Sequence, residues 1–416
     1  MNLKLHKPAN AIRGEVNLPG SKSISNRVLI IKALASLDFQ IKNLSDSDDT
    51  RHLERALNGI ISRNNQVIDI GHAGTDMRFL TAFLSLQDFE CELTGSERMQ
   101  QRPISDLVDT LRKLGADIIY KNKEGYPPLI IKGKTINGGK VAINGDVSSQ
   151  FISALLLVAP YFKNGLELSI EKNLVSKPYV DMTINVMKEF GAQVDWKQNI
   201  ITVKSKPYQY DKAEYIVESD WSAASYFYSI VALSRINSEL TIKGLFQTSL
   251  QADAACSSIY KSFGVETDYL NGAIKITKTK LLVENNFTYD FINCPDITQT
   301  VACSCLGLKI AFQLNGLQTL KVKETDRILA LKNELGKFSE GIDVTLSSII
   351  YKGIADINID VKYYIATYND HRMAMAFAPL CMMFENIVIE DAEVVSKSYP
   401  QFWNDLKKIG IRFNTL

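Results

Sequence analysis

Residues 18–27 read Leu-Pro-Gly-Ser-Lys-Ser-Ile-Ser-Asn-Arg and lead directly into the apolar run Val28-Leu29-Ile30-Ile31. Proline, glycine and serine are typical of a turn that ends at the N-cap of a helix. The run that follows is apolar around most of its circumference, which indicates a buried helix rather than an amphipathic surface helix. This stretch therefore predicts a polar turn that opens a buried helix, with Lys22 and Arg27 near the helix start.

The same pattern, a turn of small, polar or charged residues before an apolar helix-like run, occurs five more times. The spacing of roughly 50 to 75 residues is long enough for a unit of strands and helices. Segments between the runs are typical of strands, and residues 104–115 add a second amphipathic helix that ends at a glycine. The strand examples are residues 129–132, 166–170 and 200–203, and the five further turns are residues 71–75, 145–150, 218–222, 295–298 and 369–372.

These six units predict an α/β chain of two domains with three units each. A length of 416 residues also exceeds what one ordinary hydrophobic core supports. Because the fourth unit begins near Glu218, we expect residues 19–220 to form an N-terminal lobe. Residues 1–18 and 221–416 would form a discontinuous C-terminal lobe, to which the strand-like start Leu3-Lys4-Leu5 returns.

The composition narrows the classes of function. A net charge of +1 argues against a nucleic-acid-binding protein with a broad basic face. No apolar run approaches the roughly 18 residues that span a bilayer, and the first residues lack an apolar signal core, so we expect a cytoplasmic protein that binds no membrane. The six cysteines form no C-x-x-C pair and the four histidines lack metal-site spacing. Reduced core thiols and no metal are therefore expected.

Cations are concentrated at the predicted helix starts and in short polar stretches. The first turn of a helix offers unpaired N–H groups and a partial positive charge, which attract anions. Arginine suits bidentate binding of phosphate and carboxylate groups, and lysine acts as a point charge that can carry protons. This pattern indicates a protein that binds small polyanions and favours an enzyme over a simple binding protein. The cations are Lys22, Arg27, Arg78 and Arg372 at helix starts, and Arg102, Lys323, Arg327 and Lys397 in polar stretches.

An ordered set of motifs resembles the 5-enolpyruvylshikimate-3-phosphate synthase family of enolpyruvyl transferases. The resemblance implies a two-domain inside-out α/β barrel built from six repeated strand–helix units with buried parallel helices. It also implies two lobes that close on substrate, with a site that is complete only where the halves meet. The matching stretches are residues 18–27, 73–75, 98–104, 147–151, 175–179, 322–327 and 368–374.

The resemblance implies transfer of the enolpyruvyl (carboxyvinyl) group of phosphoenolpyruvate to the 5-hydroxyl of shikimate 3-phosphate. The reaction proceeds by addition and elimination, releases phosphate, and belongs to chorismate and aromatic amino-acid biosynthesis. Because both substrates carry phosphate and carboxylate groups, many fixed cations must offset their mutual repulsion. The family reaction needs no organic cofactor and no metal. The expected partners are these two small molecules, bound by a monomer.

The resemblance also assigns roles position by position. Asp296 would accept a proton from the substrate hydroxyl, Glu324 would exchange one with the methylene carbon, and Lys323 and Lys22 would complete the catalytic set. Which of Asp296, Lys323 and Glu324 moves each proton stays open, because such groups titrate as a coupled set. Shikimate 3-phosphate would contact Lys22, Ser23, Arg27, Ser148, Ser149, Gln150, Ser176, Tyr179, Asp296 and Lys323. Phosphoenolpyruvate would contact Lys22, Gly74, Arg102, Gln150, Arg327, Arg372 and Lys397.

Four positions depart from the family pattern. Asp76 adds an anion near the proposed phosphoenolpyruvate site, and Phe79 replaces a proline. Thr319 stands where many members have asparagine. Trp221 replaces a small residue, and we expect it in the region between the domains.

Two alternatives to the shikimate enzyme stay open. One is the sister transferase that acts on UDP-N-acetylglucosamine, although residues 96–102 lack the cysteine of its mobile loop. The other is a non-catalytic anion-binding protein on the same fold. The presence of Asp296, Lys323 and Glu324 argues against it, since a pure anion binder needs no acids beside its cations.

Overall fold

The computed structural model of the chain describes residues 1–61, 66–146, 148–172, 174–280, 285–353 and 361–416. Val147, in the predicted turn of the third unit, lies outside these residues. The chain divides into two compact units. The discontinuous unit comprises Met1–Gly20 and Glu218–Leu416, and the continuous unit comprises Ser21–Val217. Within the described residues, no helix combines the length and apolar character needed to cross a lipid bilayer.

Two strands precede the continuous unit and belong to the discontinuous one, β1 (Leu3–His6) and β2 (Arg13–Asn17). The continuous unit contains seven helices and ten strands among the described residues. Its helices are α1 (Lys22–Ala35), α2 (Asp48–Ile61), α3 (Gly74–Leu84), α4 (Glu97–Gln100), α5 (Ser105–Leu114), α6 (Ser149–Val158) and α7 (Lys177–Glu189). Its strands are β3 (Gln40–Lys42), β4 (Val67–Asp69), β5 (Glu90–Thr94), β6 (Asp117–Tyr120), β7 (Leu129–Lys132), β8 (Gly139–Asn144), β9 (Leu166–Glu171), β10 (Val194–Lys197), β11 (Ile200–Val203) and β12 (Glu214–Ile216).

The rest of the discontinuous unit contains six α-helices and ten strands in its described part. Its helices are α8 (Trp221–Ala232), α9 (Cys256–Lys261), α10 (Thr298–Gly307), α11 (Arg327–Leu335), α12 (His371–Phe377) and α13 (Phe402–Lys408). Its strands are β13 (Glu239–Lys243), β14 (Val265–Leu270), β15 (Ala273–Lys278), β16 (Asn286–Asp290), β17 (Ala311–Asn315), β18 (Ile342–Val344), β19 (Ile349–Tyr351), β20 (Tyr363–Ile365), β21 (Ile387–Ile389) and β22 (Arg412–Thr415).

One sheet pattern recurs through the described chain. Each of five four-stranded sheets consists of a parallel pair extended by two antiparallel strands, and a two-stranded parallel sheet completes the set. A parallel pair needs a crossover connection, and a buried helix supplies it. In this way α3 joins β4 to β5, α6 joins β8 to β9, α10 joins β16 to β17, and α12 joins β20 to β21.

The remaining two buried helices, α1 and α8, each connect two strands that do not pair with each other. Strand β2 leads through α1 to β3, and β12 leads through α8 to β13, but β2 pairs with β13 and β3 pairs with β12. Strand β1 also pairs with β21 on one side and β22 on the other. The start of the chain therefore pairs with strands of the C-terminal half.

The predicted helix starts all precede observed helices, and those helices are buried. All ten residues of α10 are buried, as are ten of the eleven residues of α3. In the continuous unit, α1 contacts α3, α6 and α7, and α3 contacts α6. In the discontinuous unit, α10 contacts both α8 and α12. The six-unit α/β organisation predicted from the sequence is thus confirmed.

Trp221 corrects one expectation. It was expected between the domains, but it is fully buried in the hydrophobic core of the discontinuous unit, where its ring stacks on Tyr228 with centroids 6.4 Å apart. It occupies the first position of α8, so a large aromatic ring fills core volume at a buried helix start. The cysteine expectation is confirmed, since all six cysteines are buried free thiols.

Candidate active site

In the continuous unit, Arg27 is held in place by four oxygen atoms. Its Nε donates to Thr183 Oγ1 at 2.8 Å, and its Nη1 donates to the Ser23 carbonyl at 2.7 Å. Its Nη2 donates to Ser153 Oγ at 3.3 Å and to the Tyr179 carbonyl at 3.2 Å. The side chain is buried, and burial lowers the pKa of the guanidinium to about 10. The four recorded acceptors are neutral, which leaves a buried positive charge at this place.

Phe79, one of the residues that depart from the family pattern, lies against this arginine. The Phe79 ring stands under the guanidinium, with Cζ of Arg27 5.3 Å from the ring centroid, a cation–π arrangement. Asp76 is fully buried, and its Oδ1 accepts from the Asn26 amide at 2.7 Å. This contact holds one oxygen of the added carboxylate within the core of the unit.

Lys22, on the first turn of α1, forms an ion pair with Asp49 across 2.9 Å. Asp49 lies in the first turn of α2. The sequence gives no sign of this pair, because 27 residues separate the two side chains. The contact between α1 and α2 brings them together.

Gly74, the first residue of α3, contacts the guanidinium of Arg102. A Cβ atom at position 74 would lie 2.5 Å from Arg102 Nη1 and 3.0 Å from its Cζ. Gln150, on the first turn of α6, donates from Nε2 to Thr75 Oγ1 at 3.2 Å. These contacts bring the start of α3 close to both Arg102 and the start of α6.

The remaining predicted residues of the continuous unit lie at two helix starts. Ser148 caps α6 by accepting from the Gln150 backbone N–H at 3.3 Å, and Ser149 follows it, buried. Ser176 is the N-cap residue of α7 and has a left-handed backbone with φ of 55°. Tyr179 lies on the first turn of α7, where its carbonyl accepts from Arg27. Arg78 donates to the Gly74 and Pro103 carbonyls, so these contacts serve local structure.

In the discontinuous unit, Arg327 connects three carboxylates and is only 1% exposed. Its Nε lies 2.6 Å from Asp370 Oδ2, its Nη1 3.2 Å from Asp296 Oδ1, and its Nη2 2.9 Å from Glu324 Oε2. Burial acts to lower the pKa of this guanidinium, but the charges of Asp370, Glu324 and Asp296 outweigh it and raise the pKa above its ordinary value. Arg327 is therefore a permanent cation at the centre of the group.

Asp296 lies among three cations. Besides Arg327, it pairs with Arg372 Nη2 at 3.1 Å and with Lys323 Nζ at 3.6 Å. Burial alone would raise the pKa of this carboxyl, but the charges of Arg372, Lys323 and Arg327 hold it well below its ordinary value. Burial also lowers the pKa of the Lys323 ammonium.

Glu324 links two further cations, since its Oε2 contacts Arg327 and its Oε1 lies 2.9 Å from Lys397 Nζ. The side chains of Glu324 and Lys397 are 15% and 12% exposed, so both retain access to solvent. We call the connected group the carboxylate–cation cluster. Its members are Asp296, Lys323, Glu324, Arg327, Asp370, Arg372 and Lys397.

Asp370 is a member that the sequence analysis did not predict. It is fully buried, caps α12 by accepting from the Arg372 backbone N–H at 2.9 Å, and also accepts from Arg327. Its place directly before His371 and Arg372 in a helix-start motif was the signal that could have identified it. Thr319 lies in the 3₁₀ turn Gln318–Val322, and its hydroxyl makes no hydrogen bond to the described residues.

Both units therefore carry buried or half-buried cations at helix starts, and one unit places carboxylates directly among them. Such an arrangement can bind small anions and, through Asp296 and Glu324, transfer protons next to them. Across the described residues, no group of three or more histidine, cysteine or acidic side chains is arranged to hold a metal ion. The fold and these side chains define an enzyme class that acts on small polyanionic substrates.

Comparisons with known proteins agree with that class. The family model described as EPSP synthase (3-phosphoshikimate 1-carboxyvinyltransferase) matches residues 6–63 and 54–406. The 3-phosphoshikimate 1-carboxyvinyltransferase of Bacteroides fragilis strain YCH46 is 46% identical over 400 residues, which are 96% of each chain. That of Haemophilus influenzae strain Rd is 36% identical over 431 residues, covering 97% of this chain and 98% of the relative. The chain belongs to the EPSP synthase family.

A solved structure supports the fold independently. The EPSP synthase of Acinetobacter baumannii aligns over the whole of both chains with a TM-score of 0.79 and 22% sequence identity. At that identity the match is evidence for the fold alone. The family recognised from the motifs, and the α/β fold that it implied, are both confirmed.

Proposed function

We propose that this chain is a 3-phosphoshikimate 1-carboxyvinyltransferase, which transfers the enolpyruvyl group of phosphoenolpyruvate to the 5-hydroxyl of shikimate 3-phosphate. It is thus a transferase of the shikimate pathway, which leads to the aromatic amino acids. The observation that carries the proposal is the position of Asp296 and Glu324 among four cations, in a chain of this family. A protein that only binds anions gains nothing from carboxylates at those positions, because they compete with the ligand for the cations.

The first half of the proposed reaction is an addition. The 5-hydroxyl oxygen forms a bond to C2 of phosphoenolpyruvate while the methylene carbon C3 gains a proton and becomes a methyl group. Asp296 accepts the hydroxyl proton: its cations keep this carboxyl ionised, with a pKa well below the ordinary value, and the anionic substrates raise its basicity when they bind to the same cations. Glu324 delivers the proton to C3.

The second half is an elimination. The methyl group returns a proton to Glu324, the C2–O bond to phosphate breaks, and inorganic phosphate leaves with the proton that Asp296 had accepted from the hydroxyl. Phosphate departs with additional negative charge, which Lys22 and the cations of the carboxylate–cation cluster stabilise. Lys323 neutralises the charge that develops near Asp296, from which its Nζ is 3.6 Å away.

Binding roles follow from the side chains that offer donors. We assign shikimate 3-phosphate to Lys22, Ser23, Arg27, Ser148, Ser149, Gln150, Ser176, Tyr179, Asp296 and Lys323. We assign phosphoenolpyruvate to Lys22, Gly74, Arg102, Gln150, Arg327, Arg372 and Lys397. For Arg27, the support is a buried guanidinium whose recorded acceptors are neutral. For Arg102, the support is the short distance between its guanidinium and the backbone of Gly74, which a side chain at position 74 would not allow.

A direct assay tests the function. Purified protein receives shikimate 3-phosphate and phosphoenolpyruvate, and phosphate release is followed alongside formation of the enolpyruvyl ether. We expect release that requires both substrates. Release that occurs only with UDP-N-acetylglucosamine would identify the sister transferase. Binding of both substrates without any release would identify a non-catalytic anion-binding protein.

Gly74→Ala is expected to weaken phosphoenolpyruvate binding. The new Cβ would lie 2.5 Å from Arg102 Nη1, so the guanidinium must move. A shift of this kind costs on the order of tenfold in KM for phosphoenolpyruvate, since one charge-assisted contact contributes roughly 1.5–3 kcal/mol. Steady-state kinetics and fluorescence titration with shikimate 3-phosphate provide the measurement. Equal losses for both substrates would contradict a local effect on Arg102.

We also propose that the protein acts as a monomer in the cytoplasm, in keeping with two small-molecule substrates as its partners. Light scattering coupled to size-exclusion chromatography tests the first statement. A mass near 46.6 kDa is expected, and twice that value would refute it.

A further inference from the structure

Asp253 is a buried carboxyl beside the carboxylate–cation cluster, and the proposed mechanism does not use it. It lies in the 3₁₀ turn Ala252–Ala255 and is 5% exposed. Its Oδ2 accepts a hydrogen bond from the Ser222 hydroxyl. Its Oδ1 accepts no hydrogen bond within the described chain. A buried carboxyl group is costly to keep ionised when one of its oxygens accepts no hydrogen bond. The burial of Asp253 at this place therefore needs a physical explanation.

Ser222 carries the contact onward to Arg372. The Ser222 oxygen accepts a hydrogen bond from Arg372 Nη2 at 3.3 Å while its hydroxyl hydrogen is directed to Asp253. The serine therefore has one donor and one acceptor contact, which fixes the direction of its hydroxyl. This chain of contacts joins residues that are 31 and 150 positions apart in the sequence.

Arg372 connects the chain to the cluster. Its Nη2 lies 3.1 Å from Asp296 Oδ2, and its Nη1 donates to the Asp296 carbonyl at 3.1 Å. The same Nη2 thus reaches Ser222 on one side and Asp296 on the other. Loss of the Ser222 contact would remove one of the contacts that orient the guanidinium.

We propose that Asp253 is a positioning residue for Arg372: through Ser222 it orients the guanidinium that binds phosphoenolpyruvate, and its ionisation alters the strength of that binding. The inference rests on the proposed function, in which Arg372 contacts phosphoenolpyruvate. Asp253 itself touches neither substrate in this proposal, so its effect passes through Ser222 and Arg372.

The charges around Asp253 determine the direction of the effect. Asp296, Arg372 and Asp220 act on it, together with the thiols of Cys256 and Cys294. Burial, followed by the charge of Asp296, raises the pKa of Asp253 to about 7. Below that pH the carboxyl is neutral. As the pH rises through it, a further negative charge appears near Arg372, which then attracts an anionic ligand less strongly.

A set of four variants tests the proposal by kinetics at several pH values. Ser222→Ala and Asp253→Ala remove the contact, whereas Asp253→Asn keeps an acceptor for the Ser222 hydroxyl but cannot ionise. Asp268→Asn, on the exposed side of β14, is the matched control. For Ser222→Ala and Asp253→Ala we expect KM for phosphoenolpyruvate to rise about tenfold, with affinity for shikimate 3-phosphate within about twofold.

The pH series separates positioning from a general effect on folding. At pH 6, KM for phosphoenolpyruvate in Asp253→Asn should match the wild type. Between pH 6 and pH 8, the ratio of the wild-type KM to that of Asp253→Asn should increase several-fold, whereas Asp268→Asn should follow the wild type throughout. The titration of phosphoenolpyruvate itself cancels in this ratio, because both proteins bind the same ligand species.

Other outcomes overturn the inference while leaving the proposed function intact. If the wild type is active and Ser222→Ala has the same KM for phosphoenolpyruvate, the serine does not orient Arg372. A pH-independent ratio for Asp253→Asn would show that its ionisation has no effect on binding. If Asp253→Ala does not fold, Ser222→Ala and Asp253→Asn decide the matter. Failure of the wild type to turn over would instead refute the proposed function.

Discussion

Glu324→Gln is expected to lower kcat by about 10²- to 10⁴-fold, the range typical of a lost general acid or base. The glutamine amide keeps nearly the same shape but neither donates nor accepts a proton at C3 of phosphoenolpyruvate. Affinity for shikimate 3-phosphate should change by less than about threefold, since Glu324 is not among the residues assigned to that substrate. Rapid-quench measurement of a single turnover, together with equilibrium titration, gives both quantities.

The control for this substitution is Glu340→Gln, an exposed glutamate in the same unit. It should leave both kcat and binding unchanged. Asp296→Ala belongs to the same experiment and is also expected to lose turnover far more than binding of shikimate 3-phosphate. If either variant lost binding while its single-turnover rate stayed normal, the role assigned to that carboxylate would be wrong.

Arg327→Ala is expected to lower the free energy of unfolding by about 3–5 kcal/mol, as does removal of one partner from a buried ionic group. Arg327 is buried and contacts Asp296, Glu324 and Asp370 at 2.6–3.2 Å. Without it, carboxylates that have little access to water lose their shared cation. Urea unfolding followed by circular dichroism measures the change, and Arg235→Ala, an exposed arginine of the same unit, should remain within about 0.5 kcal/mol of the wild type.

The effect of Arg327→Ala should depend on pH in a defined direction. The wild-type pKa of Asp296 lies well below its ordinary value, so this carboxylate contributes stability above about pH 3.9, its unfolded value. That contribution is lost as the pH falls through the folded pKa. The difference between wild type and variant should therefore be full at pH 7 and shrink below pH 4. A difference that is constant from pH 3 to pH 7 would mean that the arginine acts through packing alone.

The helix starts were predictable because their signals are local. A polar turn followed by an apolar run identifies a buried helix without knowledge of its neighbours, as residues 18–31 show. The strands Leu129–Lys132 and Ile200–Val203 were predicted at the bounds that the structure has. Gly115 ends α5 with a φ of 111°, as its place after an amphipathic run indicated.

The partners of the cations were not predictable, because tertiary contacts choose them. Asp49 pairs with Lys22 only because α1 and α2 pack together. Asp253 reaches Arg372 through Ser222, across segments that the sequence gives no reason to associate. The sequence likewise gives no sign that Asp76 accepts a hydrogen bond from Asn26 in the core. Two of the side chains that hold the predicted site residues, Asp49 and Asp253, lie outside the family motifs.

The position of β1 has a consequence for the order of folding. This strand pairs with β21 on one side and with β22 on the other. The sheet that contains β1 therefore forms only when these two late strands are present. During synthesis, β1 leaves the ribosome with neither neighbour available and must wait for nearly the entire chain. The continuous unit has all of its strand partners within residues 21–217 and can form earlier. Closure of the sheet around β1 is therefore a late step, and its long sequence separation makes it a slow one.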